Sequence, residues 1–292
     1  MARPYPVAAS AAVELALVGP SRPGMVVAAT PHATYLEIED AERTMVCIAS
    51  ADAVRVPCAL ILESKSLPPQ LPAGTIGTVG GGVVSIDGIS YRVTRWWRPP
   101  RPRGLGAVPP ARLAGAVRWL TGRVADPLDG EGRAAVADLV QALAVGAPPD
   151  QAVARLLGRG PGLTPTGDDV LAGALVSLAA LGAPAAGPLG AAVTAAAPDA
   201  TTTVSVALLR HAARGECVPQ LADLLDAVAG SGVASSGPDP AAGALPRAAG
   251  ALLAVGHCSG AGLLHGVLVA LAIAHSRLAG GVLTVSPAVA AA

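Results

Sequence analysis

One stretch limits what this chain can fold into. From Gly158 the sequence reads Gly-Arg-Gly-Pro-Gly-Leu-Thr-Pro-Thr-Gly-Asp-Asp, and it passes without a break into an apolar run from Val170 to Leu181. Gly160, Pro161, Gly162, Pro165 and Gly167 exclude a helix or a central strand across the loop. The spacing Thr166-x-x-Asp169 predicts a capping box, with Asp168 and Asp169 in the first turn of a helix, where the dipole favours negative charge. A tightly turned loop delivering a helix N-terminus can hold an anion on its free backbone N–H groups. The plain alternative is an ordinary helix cap, for which so many glycines are not needed.

The rest of the chain divides into two parts of different texture. Seven short Val- and Ile-rich runs lie between Gly24 and Trp97, and turn residues such as Glu39-Asp40, Gly80-Gly81-Gly82 and Asp87-Gly88 separate them. Short strands at close spacing predict a small antiparallel barrel or sandwich. Ahead of them, the Ala-rich stretch from Val7 to Val18 predicts a short leading helix, stopped by Gly19-Pro20. Arg98-Pro99-Pro100-Arg101-Pro102-Arg103-Gly104 has the composition of a solvated linker, though its arginines could also meet an acidic partner. Beyond it the apolar spacing turns helical. Helices are predicted from Pro110, over Glu131 to Val145, from Pro149 to Gly158, from Thr166, over Thr202 to Arg214, over Pro219 to Ala229, over Leu245 to Val255 and over Ser259 to Leu278. A loop from Gly230 to Gly243 and a frayed tail from Ser286 complete the reading. The expectation is thus an α+β chain: a β-rich domain over residues 1–104 with a short leading helix, then an all-helical domain over residues 105–292.

Composition narrows the chemistry. The 292 residues are 52% hydrophobic yet contain no Phe, so the cores are built from Ala, Val and Leu. Net charge is zero, which gives no electrostatic case for nucleic acid. Lys65 is the only lysine, so a G-x-x-x-x-G-K phosphate loop is absent and a Schiff-base lysine is disfavoured. Cys47, Cys58, Cys217 and Cys258 show no C-x-x-C spacing and read as reduced thiols of a cytoplasmic protein. No signal peptide is evident, and neither long apolar stretch of the helical half reads as a membrane span.

Two further stretches carry polar groups at helix starts. Thr201-Thr202-Thr203-Val204-Ser205 places four hydroxyls in five residues, and Thr202 and Ser205, three apart, share a helix face. Gly256-His257-Cys258-Ser259-Gly260 repeats the plan of the first loop: a polar turn flanked by glycine opens an apolar helix. His257 is the best proton-transfer candidate. Against these readings stand a simple N-cap at Thr202 and a loop histidine bonded to backbone. His265 and His275 read as packing or partner-facing residues.

Taken together, Gly160 to Asp169, the hydroxyl-rich helix leading to Leu209-Arg210-His211-Ala212-Ala213-Arg214-Gly215, and Gly256 to Gly260 resemble the uncharacterised-domain family that includes the AllH-like subunit of oxamate carbamoyltransferase. The family usually has Ser where Thr166 stands, and Thr or Ser where Cys258 stands. The resemblance implies a soluble bacterial protein that takes part, with partner subunits, in carbamoyl transfer between oxalurate, phosphate and oxamate. The ligand expected is therefore a small carboxylate, carbamoyl compound or phosphate.

Asp168, Asp169 and His257 are the candidate catalytic residues. Gly160, Gly162, Thr164, Thr166, Gly167, Thr202, Ser205, Gly256, Ser259 and Gly260 are the candidate ligand contacts. Held ionised by the dipole, the two aspartates would repel a bare phosphate and would not act as general acids. They would instead hold a Mg²⁺ between themselves and the anion, or accept hydrogen bonds from a carbamoyl N–H. Two readings stay open: a catalytic subunit, or a non-catalytic partner subunit that binds a small ligand or shapes another protein's site.

Overall fold

A computed structural model describes residues 3–67, 71–230 and 240–278. The chain divides into two compact units, Met1–Pro99 and Pro100–Ala292, so the division falls within the proline- and arginine-rich stretch.

The first unit is a closed eight-stranded barrel. Its strands are β1 (Tyr5–Ser10), β2 (Arg22–Thr30), β3 (Ala33–Ile38), β4 (Met45–Ala49), β5 (Ala59–Leu62), β6 (Ile76–Gly80), β7 (Val83–Ile86) and β8 (Ile89–Trp97). The order around the barrel is β1-β5-β4-β3-β2-β6-β7-β8. Closure removes the open edges that a sandwich would leave. Two features depart from the sequence expectation. The β1–β8 and β4–β5 pairs are parallel, so the barrel is mixed rather than antiparallel. The N-terminal Ala-rich stretch is not a single helix: Tyr5–Ser10 forms β1, and only Glu14–Val18 is α-helical (α1). Pairing with β5 on one side and β8 on the other satisfies the backbone of β1 and overrides the local helix preference of its alanines. Asp87 and Gly88 both take positive φ, the two-residue turn that joins β7 to β8 with matching twist. The barrel core is aliphatic, with Val26, Leu36, Leu60, Val79 and Val84 fully buried.

All described regular structure of the second unit is helical. Its helices are α2 (Pro110–Thr121), α3 (Gly130–Val145), α4 (Asp150–Leu156), α5 (Thr166–Leu181), α6 (Ala186–Ala200), α7 (Thr203–Ala213), α8 (Pro219–Ala229), α9 (Pro240–Leu253) and α10 (Ser259–Leu278). Helix α6 is additional to the sequence expectation. Pro188 sits in its first turn, where no intrahelical N–H bond is lost, and Pro198 lies close to its end. The loop expected from Gly230 is α9 from Pro240 onward; residues 231–239 and the tail from Ser286 lie outside the described residues. Among the described residues no helix is long and apolar enough to cross a membrane.

Helix α5 is the centre of this unit. Thirteen of its sixteen residues are buried, and α10 packs along it more extensively than any other helix. Small residues make that approach possible. A Cβ on Gly173 would overlap the Leu263 carbonyl, and one on Gly266 would overlap the Val170 carbonyl. Leu171, Leu178, Leu264 and Val267 fill the space beside the contact, each fully buried. Burying such a side chain is worth about 1.5–3 kcal/mol. The close α5–α10 contact fixes the starts of both helices side by side, and the polar loops enter at those starts.

Candidate functional site

The loop between α4 and α5 is held from both ends. Arg159 pairs with Asp129 at 2.8 Å and with Glu131 at 2.7 Å, tying it to the start of α3. Its carbonyl accepts the Gly167 N–H at 2.8 Å. Gly158, Gly160 and Gly162 all adopt positive φ, a backbone conformation that favours glycine, at three of five successive residues. Thr166 does not cap α5. The N-cap position belongs to Pro165, which has no side-chain cap bond, and its carbonyl accepts from Asp168 and Asp169 N–H. The Thr166 hydroxyl turns instead toward the Cys258 Sγ, 3.7 Å away. With the N–H groups of Gly167, Asp168 and Asp169 all bonded to carbonyls, the start of α5 is a poorer anion cradle than its sequence suggests.

The three polar stretches of the sequence meet here. Asp168 Oδ1 accepts the Gly158 N–H at 2.8 Å, and its Oδ2 accepts the Thr201 hydroxyl. The Thr202 hydroxyl reaches the Leu163 carbonyl at 2.5 Å and also accepts the Ser205 N–H at 3.1 Å, capping α7. The Thr164 and Ser259 hydroxyl oxygens are 2.8 Å apart. Ser205 is buried behind the cap, whereas His257 and Gly256 lie exposed on the turn between α9 and α10. Gly167 and Gly260 serve close packing: a Cβ on either would overlap a carbonyl, of Leu156 and Leu252 respectively.

The two aspartates, adjacent in sequence, are in different situations. Asp168 is 2% exposed with both oxygens used to clamp loops. Asp169 is 7% exposed, and its Oδ2 is buried with no hydrogen-bond partner. Burial pushes the Asp169 carboxyl up to about 8, and the charge of Asp168 adds to the rise; hydrogen bonds from Ser259 and Thr164 oppose it. The expectation that the helix dipole keeps Asp169 ionised is therefore corrected. Desolvation outweighs the dipole, because α10 closes over the carboxylate: a Cβ on Gly262 would come within 2.7 Å of the Asp169 Cβ. A pKa raised to about 8 favours the protonated carboxyl of Asp169 at neutral pH.

These side chains do not fit Mg²⁺. That ion takes near-octahedral oxygen coordination, from one or two ionised carboxylates completed by waters. Here Asp168 has both oxygens engaged by the chain, and burial disfavours the ionised form of Asp169. Among the described residues no group of three or more His, Cys, Asp or Glu side chains is placed to hold a metal ion.

Sequence reasoning included Thr201 in the hydroxyl-rich stretch but not among the site residues, although its hydroxyl fixes Asp168, and it missed Gly262, whose missing side chain lets α10 press on Asp169. Hydroxyl density marks the stretch and not which of its hydroxyls makes the contact. The role of Gly262 shows only once α5 and α10 are paired.

The arrangement defines a helical unit with a buried carboxyl of raised pKa where three loops join at a helix start. Residues 156–271 match the family model described as oxamate carbamoyltransferase subunit AllH, and over that stretch the chain is similar to this family. The match contains α5, α7, most of α10 and all three loops. No curated protein and no solved structure matches the chain.

Proposed function

We propose that the helical unit is a ligand-binding subunit of a carbamoyltransferase-type complex, and that the junction of the three loops receives the carbamoyl or amide end of a small carboxylate. The observation that carries this reading is the orphaned Oδ2 of Asp169. A buried polar atom without a partner costs about 1–3 kcal/mol, a cost that a ligand group can remove. Neutral Asp169 presents either a donated proton or an acceptor lone pair, and a carbamoyl group offers a carbonyl and an N–H to match. The hydroxyls of Thr164 and Ser259 hold the carboxyl in place, and His257 lies exposed on the adjacent turn, where its ring could contact the ligand. Entry requires movement, since Oδ2 is sealed. The turns at Gly160–Gly162 and Gly256–Cys258 are the segments that would open, both being surface turns built on positive-φ glycines. The AllH match over the same residues supports carbamoyl chemistry as the context.

A second reading, a non-catalytic partner subunit, is favoured by one observation. Leu163 and Leu253, each more than a third exposed, flank the same loops as an apolar rim that another subunit could cover.

The test is a thermal-shift screen of the purified chain with oxalurate, oxamate and carbamoyl phosphate. Saturation at 100 times Kd should add about 2.7 kcal/mol of stability. A shift with one of the three supports the ligand site. No shift alone, but a shift when a partner subunit is added, supports the second reading.

A further inference from the structure

The C-terminal end of α5 carries a second polar feature, far from the loops just described. Sixteen residues of helix separate the two, about 24 Å at 1.5 Å per residue. A cleft of about 460 Å³ opens there between the segment from Arg101 to Ala107, the end of α5 and the turn after α7. Arg101, Arg103 and Arg214 line it, and no acidic side chain does.

Two of these arginines are pinned from behind. Glu216 is 3% exposed; its Oε1 accepts from Arg101 and its Oε2 lies 3.5 Å from Arg214 Nε. His211 Nδ1 lies 2.5 Å from the same Oε2 and donates its proton there, so the 2.9 Å approach of Arg214 to that nitrogen is a packing contact. Burial lowers the pKa of His211, so it adds no charge at neutral pH. Burial opposes ionisation of Glu216, but the hydrogen bonds from His211 and Arg101 outweigh it and bring its carboxyl down to about 2. Arg101 and Arg214 keep about half of their side-chain surface open to solvent. Arg103 is exposed and joins no ion pair among the described residues. Three guanidinium groups thus face the cleft over one buried carboxylate, an excess of two positive charges. The negative end of the α5 dipole is partly capped, since Gly182 and Ala183 N–H groups bond the Ala179 and Leu178 carbonyls.

We propose that this cleft binds a small doubly charged oxyanion, a phosphate or a dicarboxylate, at a site separate from the Asp169 junction. Guanidinium forks match both anions in bidentate geometry, and the Glu216–His211 pair preorganises two of the three forks. The volume suits a metabolite-sized ligand. Six of the lining residues, Arg101 and Arg103 among them, precede residue 156, so the site joins part of the AllH-like stretch to chain outside it.

The test measures binding of inorganic phosphate and of oxalate to the full chain by calorimetry, at matched ionic strength. Sub-millimolar binding of phosphate alone assigns a phosphoryl site, and of oxalate alone a dicarboxylate site. Arg103→Ala, which touches no buried group, should weaken the binding at least tenfold, and Arg214→Lys should weaken it with the charge retained. Asp169→Asn should leave it unchanged, which separates this site from the loop junction. Absence of binding by both anions, or binding indifferent to Arg103→Ala and Arg214→Lys, would overturn the proposal.

Discussion

The Thr164 hydroxyl oxygen lies 2.8 Å from that of Ser259, although 95 residues separate them in the chain. Both hydroxyls also serve the Asp169 carboxyl. Three polar side chains from two helix starts thus form one cluster, and its geometry depends on how closely α10 approaches α5.

That dependence gives the first prediction. Gly262→Ala places a Cβ 2.7 Å from the Asp169 Cβ and 3.1 Å from the Thr166 carbonyl oxygen. Backbone must move to admit it, at about 1–3 kcal/mol. Denaturant unfolding of the variant should show a loss in that range, and an unchanged midpoint would mean that the two helix starts are not packed as described.

Asp168 is expected to be structural first. Asp168→Ala removes the acceptor for both Gly158 N–H and the Thr201 hydroxyl and should cost about 3 kcal/mol. Asp168→Asn keeps one acceptor for Gly158 and should cost roughly half as much. Chemical denaturation of both variants orders them, and equal costs would mean that the clamp does not act through these oxygens.

Asp169 should make stability fall with rising pH. Its folded pKa of about 8 exceeds the unfolded value of 3.8, so the folded state holds a proton that the unfolded state has lost between those limits. Its contribution is full below about pH 4, declines through the window and levels off above about pH 8. The slope approaches about 1.4 kcal/mol per pH unit at most. The difference in unfolding free energy between wild type and Asp169→Asn isolates the effect. It should shift in favour of the variant as pH rises from 4 to 8; a flat difference would place the carboxyl at an ordinary pKa.

His257, exposed on its turn, should be dispensable for folding. His257→Ala is expected to move stability by no more than about 0.5 kcal/mol. Turnover, once a reaction is assayed with partner subunits, should fall at least about tenfold in the variant. Unaltered turnover would remove His257 from the proposed site.

How much of this was legible in the sequence differs by element. The seven Val- and Ile-rich runs all became strands, because each carries its own β preference between its own turns. Strand β1 was hidden, since Val7-Ala8-Ala9 has little local β character and is a strand through its two neighbours. Helix α6 was hidden by Pro188 and Pro198, whose cost depends on where in the helix they fall. At the site, the three polar stretches could be read from glycine and hydroxyl density alone. What they do to one another could not. Thr166 and Asp169 spell a capping box locally, yet the α5–α10 contact turns one toward Cys258 and buries the other.

The most direct measurement pairs affinity with stability for Asp169→Asn. Calorimetry should give Kd for whichever of oxamate, oxalurate or carbamoyl phosphate the wild-type chain binds, with melting temperature recorded on the same samples and Arg103→Ala as the control for binding at the arginine cleft. Losing the hydrogen bond of a neutral carboxyl, because the Asn amide presents its donor differently, should weaken binding by roughly two- to tenfold, about 0.5–1.5 kcal/mol. Above pH 8 the melting temperature should hold or rise, because Asn relieves a buried charge. Affinity equal to wild type in Asp169→Asn would contradict the account and leave the junction as a packing feature between two helix starts.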